Sequence, residues 1–114
     1  MKYLVLYRES APAAAAIPPP AIWEMVEATA HWMDEMKQAG KVLDGYYLAG
    51  NHGGAMTIET SSAGELSELV DGLPARPLCE VELLPLMTTD EFRKYWPKEK
   101  AKMQEMWQKM QPPK

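Results

Sequence analysis

The chain has 114 residues, of which 46% are hydrophobic and 25% charged, and its formal net charge is −4 at pH 7. These values are typical of one globular domain, and the acidic balance disfavours nucleic-acid binding, because phosphates require a basic face. Cys79 is the only cysteine, so no internal disulfide can form, and no apolar run reaches the length of a membrane span. We therefore expect a cytoplasmic protein that does not associate with membranes.

The first third of the chain predicts a strand, a loop and a helix. Residues 2–8 (KYLVLYR) predict the strand, and Arg8 ends the apolar run too early for a secretory signal. Segment 9–20 is predicted to be a loop, because its prolines exclude one continuous helix, and its length suggests a lid. A helix is predicted over residues 20–39, with Gly40 as its stop. Its apolar stripe consists of Ile22, Met25, Val26, Thr29, Met33 and Met36.

The middle of the chain predicts a hairpin, a short helix and a fourth strand. Strands are predicted over residues 41–49 and 54–60. The sequence GNHGG that connects them is rich in residues that accept positive φ. The short helix is predicted over residues 61–72, and the fourth strand over residues 77–86. These elements complete the pattern β-α-β-β-α-β.

The last segment, residues 88–114, predicts a helical extension of the domain formed by residues 1–87. Thr88 or Thr89 would cap this extension, and Pro97 is predicted to break it into two pieces. One small core cannot use so much additional apolar surface, so we expect the extension to contact a partner subunit. Its apolar stripe consists of Phe92, Trp96, Met103, Met106, Trp107 and Met110.

This element order indicates a ferredoxin-like α+β fold, in which helices cover one face of a four-stranded antiparallel sheet. The opposite face is predicted to be mixed, with Glu80, Glu82 and Leu84 of the fourth strand on it. Such a face is suited to packing against the sheet of a second subunit, which would form a dimeric α+β barrel. We therefore expect a homodimer or a higher homo-oligomer.

Part of the chain resembles the muconolactone isomerase family. The sequence GLPARPLCEVELLPL, residues 72–86, is similar to a family pattern of G-L-P-x-x-P followed by a strand with alternating glutamates and a final P-L. The resemblance extends over about residues 30–87. It implies a dimeric α+β barrel, assembly into dimers or rings of dimers, and a cofactor-free proton shift between two carbons of a small unsaturated lactone. The glycine-rich hairpin and Arg76 differ from the family pattern, which bears on the substrate more than on the fold.

His52 and Glu80 are the predicted catalytic residues. Histidine titrates near neutral pH, and the glycines beside His52 would let a substrate approach the backbone. A carboxylate at Glu80, under a partner subunit, would have a raised pKa and act as acid or base. The alternatives are that His52 is a solvent-exposed turn residue and that Glu80 forms an ion pair at the dimer contact.

Further residues are predicted to bind substrate or to line its pocket. Arginines could hold a carboxylate, and aromatic side chains could line the pocket, unless they serve only in packing or surface ion pairs. The predicted residues are the arginines Arg76 and Arg8, the aromatic residues Tyr7, Tyr46 and Trp23, and the carboxylate Glu82. The sequence contains no HExxH, CxxC or nucleotide-binding motif, so neither a metal nor a cofactor is predicted.

We therefore predict a cofactor-free small-molecule enzyme that isomerises or cyclises a small cyclic or conjugated carbonyl compound by proton transfer. One alternative is a cofactor-free monooxygenase or polyketide cyclase of the same barrel group. Another is a non-enzymatic ligand-binding or assembly protein, in which the C-terminal stripe binds a partner.

Overall fold

The computed structural model describes residues 1–50 and 52–113 and has the predicted α+β architecture. Its four strands form one antiparallel sheet in the order β2-β3-β1-β4, which is the ferredoxin-like order. Asn51, in the predicted hairpin, and Lys114, at the end of the predicted extension, lie outside the described residues. The elements are β1 (Lys2–Glu9), α1 (Ala11–Ala16), α2 (Pro19–Gln38), β2 (Val42–Tyr47), β3 (Gly53–Glu59), α3 (Ala63–Asp71), β4 (Cys79–Pro85) and α4 (Thr89–Lys109).

Residue alternation along the strands gives the sheet one covered and one open face. On the covered face, β1 sets Val5 between Met56 of β3 and Leu83 of β4. Residues of α2 and α3 complete this core, whose buried members are Val5, Tyr7, Met33, Val42, Met56, Ile58, Leu66, Val70 and Leu73.

The open face is mixed in character, as predicted. Leu4 pairs with Leu84, Leu6 with Glu82, and Arg8 with Glu80, so apolar and charged side chains alternate across β1 and β4. The second subunit that we expect over this face stays a prediction.

The predicted loop over residues 9–20 is wrong, because it contains α1. The Ser10 side chain accepts a hydrogen bond from the Ala13 N–H at 3.5 Å, and Pro12 lies in the first turn, where an N–H is not needed. Pro18 then precedes the first turn of α2, so the prolines mark two helix starts rather than one irregular segment.

The predicted break at Pro97 is also wrong, because α4 is continuous through it. An interior proline costs a helix about 3 kcal/mol, but the residues after it are mostly strong helix formers. Thr88 is the N-cap, as one of the two predicted candidates, and forms a capping box with Glu91. None of the residues of α4 is buried, and the molecule measures 67 × 33 × 27 Å.

Candidate functional site

A cavity of about 150 Å³ lies between the covered face of the sheet and α2. Small residues leave this space open at one end of the core, where β1 ends, β3 begins and the segment before β4 passes. The lining residues are Tyr7, Val26, Thr29, Tyr47, Leu48, His52, Gly53, Ala75, Leu78 and Cys79. Most of this lining is apolar, so the few polar groups stand out.

Two hydroxyl groups in the cavity wall are buried without a hydrogen-bond partner among the described residues. Tyr7 and Thr29 are each only 3% exposed, and neither the Tyr7 Oη nor the Thr29 Oγ1 is paired. An unsatisfied buried polar group costs about 1–3 kcal/mol, so native structures rarely retain one without a functional reason.

The phenol and thiol groups of the cavity are held in their neutral forms. Burial raises the pKa of Tyr7 from 10.0 to about 12. Burial, followed by the nearby Asp34 carboxylate, raises the pKa of Tyr47, and burial, followed by the Glu9 carboxylate, raises the pKa of Cys79. At neutral pH the two tyrosines are therefore hydrogen-bond donors, and Cys79 is a thiol rather than a nucleophilic thiolate.

Gly54 makes room for the Tyr7 hydroxyl. It lies opposite Tyr7 in the pairing of β1 with β3. A Cβ atom at this position would clash with the Tyr7 hydroxyl and lie 2.6 Å from the Tyr46 carbonyl oxygen. Part of the glycine content of the GNHGG stretch is therefore required by the packing around Tyr7.

His52 and Glu9 form a closely joined pair at the edge of the cavity. His52 Nδ1 lies 2.7 Å from Glu9 Oε2, and the Glu9 N–H donates to the His52 carbonyl oxygen at 2.8 Å. A carboxylate oxygen is a hydrogen-bond acceptor, so a hydrogen on Nδ1 would be donated to Glu9. The His52 side chain is 73% exposed and that of Glu9 22%. Glu9 thus orients an imidazole ring whose side chain is exposed at the cavity edge.

Two of the predicted site residues, His52 and Tyr7, line this cavity. Trp23 lies on α2 and is 63% exposed, and Arg76 is exposed in the segment between α3 and β4. Neither of these two residues lines the cavity.

The remaining predicted site residues lie on the other face of the sheet. Arg8 faces Glu80 across the β1–β4 pair. Tyr46 lies opposite Ala55 in β3, and Glu82 lies opposite Leu6 in β1. The predicted catalytic pair, His52 and Glu80, is therefore divided between the two faces.

The sequence interpretation missed Glu9 and Thr29, although each carried a signal. Thr29 is the one polar member of the apolar stripe on α2, and such a residue faces either a partner group or a cavity. Glu9 has the same strand parity as Tyr7, so both project from the covered face. The contact of Glu9 with His52 spans 43 positions and depends on strand pairing.

Two wider cavities lie elsewhere, and neither contains a buried hydroxyl without a partner. One, of about 340 Å³, is bounded by α2, α3 and carboxylates that include Glu65 and Glu68. The other, of about 510 Å³, lies where the chain enters α4. Within residues 1–50 and 52–113, no group of three or more His, Cys, Asp and Glu side chains could hold a metal ion. In the same ranges, no helix has the length and apolar character needed to cross a membrane.

Comparison with known proteins agrees with the predicted family resemblance. The family model of muconolactone delta-isomerase matches residues 1–91. The fold is also similar to that of 5-chloro-2-hydroxyhydroquinone dehydrochlorinase from Burkholderia phenoliruptrix AC1100, whose structure is a complex with 2,5-dihydroxybenzoquinone. The two chains share 14% sequence identity with a TM-score of 0.57, over 80% of this chain and 98% of that one. No curated protein matches significantly. At this identity the structural likeness establishes the fold alone.

Proposed function

This chain belongs to the muconolactone delta-isomerase family, and from that premise we propose that it catalyses proton transfer on a small unsaturated carbonyl compound. The compound binds in the cavity between the sheet and α2. One observation carries the proposal: the His52–Glu9 pair lies at the edge of a cavity whose wall contains two buried hydroxyls that have no partner among the described residues. The family name and the dehydrochlorinase neighbour both describe enzymes that act on small molecules.

In the proposed reaction, His52 is the base. It removes a proton from the γ carbon of an α,β-unsaturated carbonyl compound, and the electron pair moves through the conjugated system onto the carbonyl oxygen. The resulting imidazolium returns a proton to the α carbon, so the double bond shifts by one position. This sequence needs no oxidant, no reductant and no cofactor. Glu9 positions the ring and stabilises the imidazolium charge while it exists.

Tyr7 and Thr29 stabilise the dienolate intermediate in this mechanism. Both hydroxyls belong to buried side chains, and hydrogen bonds to a developing oxyanion strengthen as its charge grows. Because the pKa of Tyr7 is raised to about 12, the phenol keeps its proton while the oxyanion forms.

The test is a proton NMR time course with muconolactone and its methyl ester in D₂O. Migration of the double bond with deuterium at the α carbon supports the proposal, and His52→Ala should lower kcat by about 10²–10⁴-fold. His31→Ala is the matched control, because His31 also lies near a glutamate, at 3.1 Å from Glu35, on the exposed side of α2. Equal losses in the two variants would overturn the role of His52.

Two further variants separate this proposal from the alternatives. Glu80→Gln changes a predicted catalytic residue on the open face, and we expect it to retain turnover. If Glu80→Gln loses turnover and His52→Ala does not, the chemistry lies on the open face. Oxygen uptake during turnover would favour the monooxygenase alternative, because isomerisation consumes none.

We also propose that the extension over residues 88–114 docks on a second copy of the chain. Residues 1–87 contain five Lys and Arg against twelve Asp and Glu, a net charge of −7, whereas residues 88–114 contain seven against four, a net charge of +3. The spacing of Phe92, Trp96, Met103, Met106 and Met110 follows a heptad seam with one gap, at Glu99. A basic amphipathic helix is complementary to the acidic body of another copy rather than to a second basic helix.

A further inference from the structure

We infer that the cavity selects an uncharged carbonyl compound with a single ring and discriminates against ligands that carry a carboxylate. This inference rests on the proposed function, since it specifies the substrate of the same cavity. It departs from the substrate in the family's name, because muconolactone is a carboxylic acid. Three features of the cavity support it: its volume, the charges around it, and the chemistry of its polar groups.

The volume of the cavity suits a ligand with one ring. Its size of about 150 Å³ is comparable to that of an engineered cavity that takes up benzene in another protein, and it is below the usual range of ligand pockets. A five- or six-membered ring with one small substituent fits this space. A fused polycyclic substrate, as a polyketide cyclase or an anthrone monooxygenase would need, would extend out of this space past the exposed side chains of Val26 and Tyr47.

The charges around the cavity oppose an anion. None of the described lining residues is a lysine or an arginine. Arg8 projects from the opposite face of the sheet, and Arg76 is exposed outside the lining. The Glu9 carboxylate lies at the cavity edge, 2.7 Å from Nδ1 of the lining residue His52. A bound carboxylate would therefore give up hydration without gaining a lysine or arginine among the described lining residues, and it would lie near the Glu9 carboxylate.

Protonation of His52 does not remove this obstacle. An imidazolium at this position is already neutralised by the Glu9 carboxylate, which lies 2.7 Å from Nδ1. The remaining polar groups of the wall, Tyr7 and Thr29, are neutral hydroxyls that suit a carbonyl oxygen. Among its described lining residues, the cavity thus offers neutral hydroxyls to a carbonyl oxygen and no lysine or arginine to a carboxylate.

The experiment compares muconolactone with its methyl ester, which keeps the ring and removes the negative charge. Dissociation constants are measured at pH 7 by titration calorimetry and by ligand-observed NMR, on the full chain and on His52→Ala. We expect the ester to bind at least about tenfold more tightly than the acid in both proteins. The neutral ring 5-methyl-2(5H)-furanone should compete with the ester, and anthrone should not.

A cation placed at the cavity edge provides the converse test. Val26 lines the cavity but is 48% exposed, so Val26→Arg adds a guanidinium with little change to the core. We expect this variant to bind the acid at least about tenfold more tightly than the wild type does. Val26→Gln is the matched control for size and polarity, and it should leave the preference for the ester unchanged.

The outcomes separate this inference from the proposed function. If the ester binds selectively but neither compound turns over, the inference stands and the proposed reaction fails. If the acid binds as tightly as the ester, or if neither compound binds, the inference is overturned. Tight binding of anthrone would overturn the size limit. Turnover of the acid in preference to the ester would also contradict the inference, while leaving the proton transfer intact.

Discussion

The unpartnered hydroxyl of Tyr7 predicts that Tyr7→Phe stabilises the protein while it impairs activity. The ring of Tyr7 is 3% exposed, and its hydroxyl contributes no hydrogen bond within the described residues. Phenylalanine keeps the ring contacts and removes a polar group whose burial costs about 1–3 kcal/mol. After allowance for the small void left by the oxygen, we expect the free energy of unfolding to rise by about 1–2 kcal/mol. For a chain of this length, that gain raises Tm by about 3–8 °C.

The stability difference between Tyr7→Phe and the wild type should also grow between about pH 10 and pH 12. In the unfolded chain Tyr7 ionises near its ordinary value of 10.0, whereas in the folded chain its pKa is raised to about 12. Between these values the unfolded state binds fewer protons than the folded state, so the stability of the wild type falls as pH rises from 10 to 12. The loss reaches about 3 kcal/mol, since each pKa unit corresponds to about 1.4 kcal/mol. Tyr7→Phe lacks this loss.

Urea denaturation at pH 7, 9, 10, 11 and 12 measures both effects on the two proteins. Tyr46→Phe is the control, because Tyr46 is 64% exposed on the open face and its variant should stay within about 0.5 kcal/mol of the wild type at neutral pH. The kcat of Tyr7→Phe should fall on the order of 10²-fold if its hydroxyl donates to an oxyanion. A variant that is less stable than the wild type at pH 7, or a difference that stays constant above pH 10, would refute this account of Tyr7.

Four further predictions concern the cavity and the extension. Thr29→Val, which keeps the shape of the side chain, should raise stability by about 1 kcal/mol in urea denaturation and lower kcat by about tenfold or more. Glu9→Gln should lower kcat on the order of 10-fold or more, with KM and Tm nearly unchanged, and Glu9→Asp should recover part of the loss. Gly54→Ala should cost about 2–4 kcal/mol through its clash with the neighbouring strand. Gly64→Ala is the control, because its Cβ would lie 3.9 Å from Ser62 Oγ, and it should not destabilise the protein. Deletion of residues 92–114 should lower the assembly state in sedimentation velocity, and 1 M salt should weaken assembly of the full chain if charge complementarity drives it.

The fold could be predicted because its signals are local and periodic. Alternation in the fourth strand correctly separates Val81 and Leu83 from Glu80 and Glu82. Turn residues delimited the hairpin before β3. Two predictions based on prolines were wrong, the loop over residues 9–20 and the helix break at Pro97. The effect of a proline depends on its position in the helix. Pro12 lies in the first turn of a helix, where proline is tolerated, and Pro97 interrupts only one hydrogen bond in a long exposed helix.

The cavity could be predicted only in part, because it forms between elements that are distant in sequence. His52 could be singled out by its chemical type, but its contact with Glu9 arises from strand pairing across 43 positions. The sequence interpretation placed carboxylate chemistry on the open face, where Glu80 and Glu82 lie. It gave less weight to the space that small residues such as Gly53 and Ala75 leave under α2. An empty volume has no sequence signature of its own.

The position of β1 explains why one end of this sheet can carry a precise site. β1 is an inner strand, bonded to β3 on one side and to β4 on the other, so its backbone is fixed along its whole length. Tyr7 and Glu9 project from the same side of this strand. The next residue, Ser10, donates its N–H to the Leu78 carbonyl oxygen and caps α1. The proposed donor and the proposed positioning carboxylate are thus held by the most constrained backbone in the fold.

The side chains that would contact a substrate away from its reacting carbons come from elements other than β1. Val26 lies on one exposed side of α2, and Leu48 follows β2 in the hairpin, so neither is part of the buried core cluster. Substitutions at these two positions can change the shape or charge of the cavity edge without disturbing the register of β1. Selectivity for the substrate can therefore vary in this fold independently of the proton-transfer groups. The same division is compatible with a member of this family whose described cavity lining contains neither lysine nor arginine.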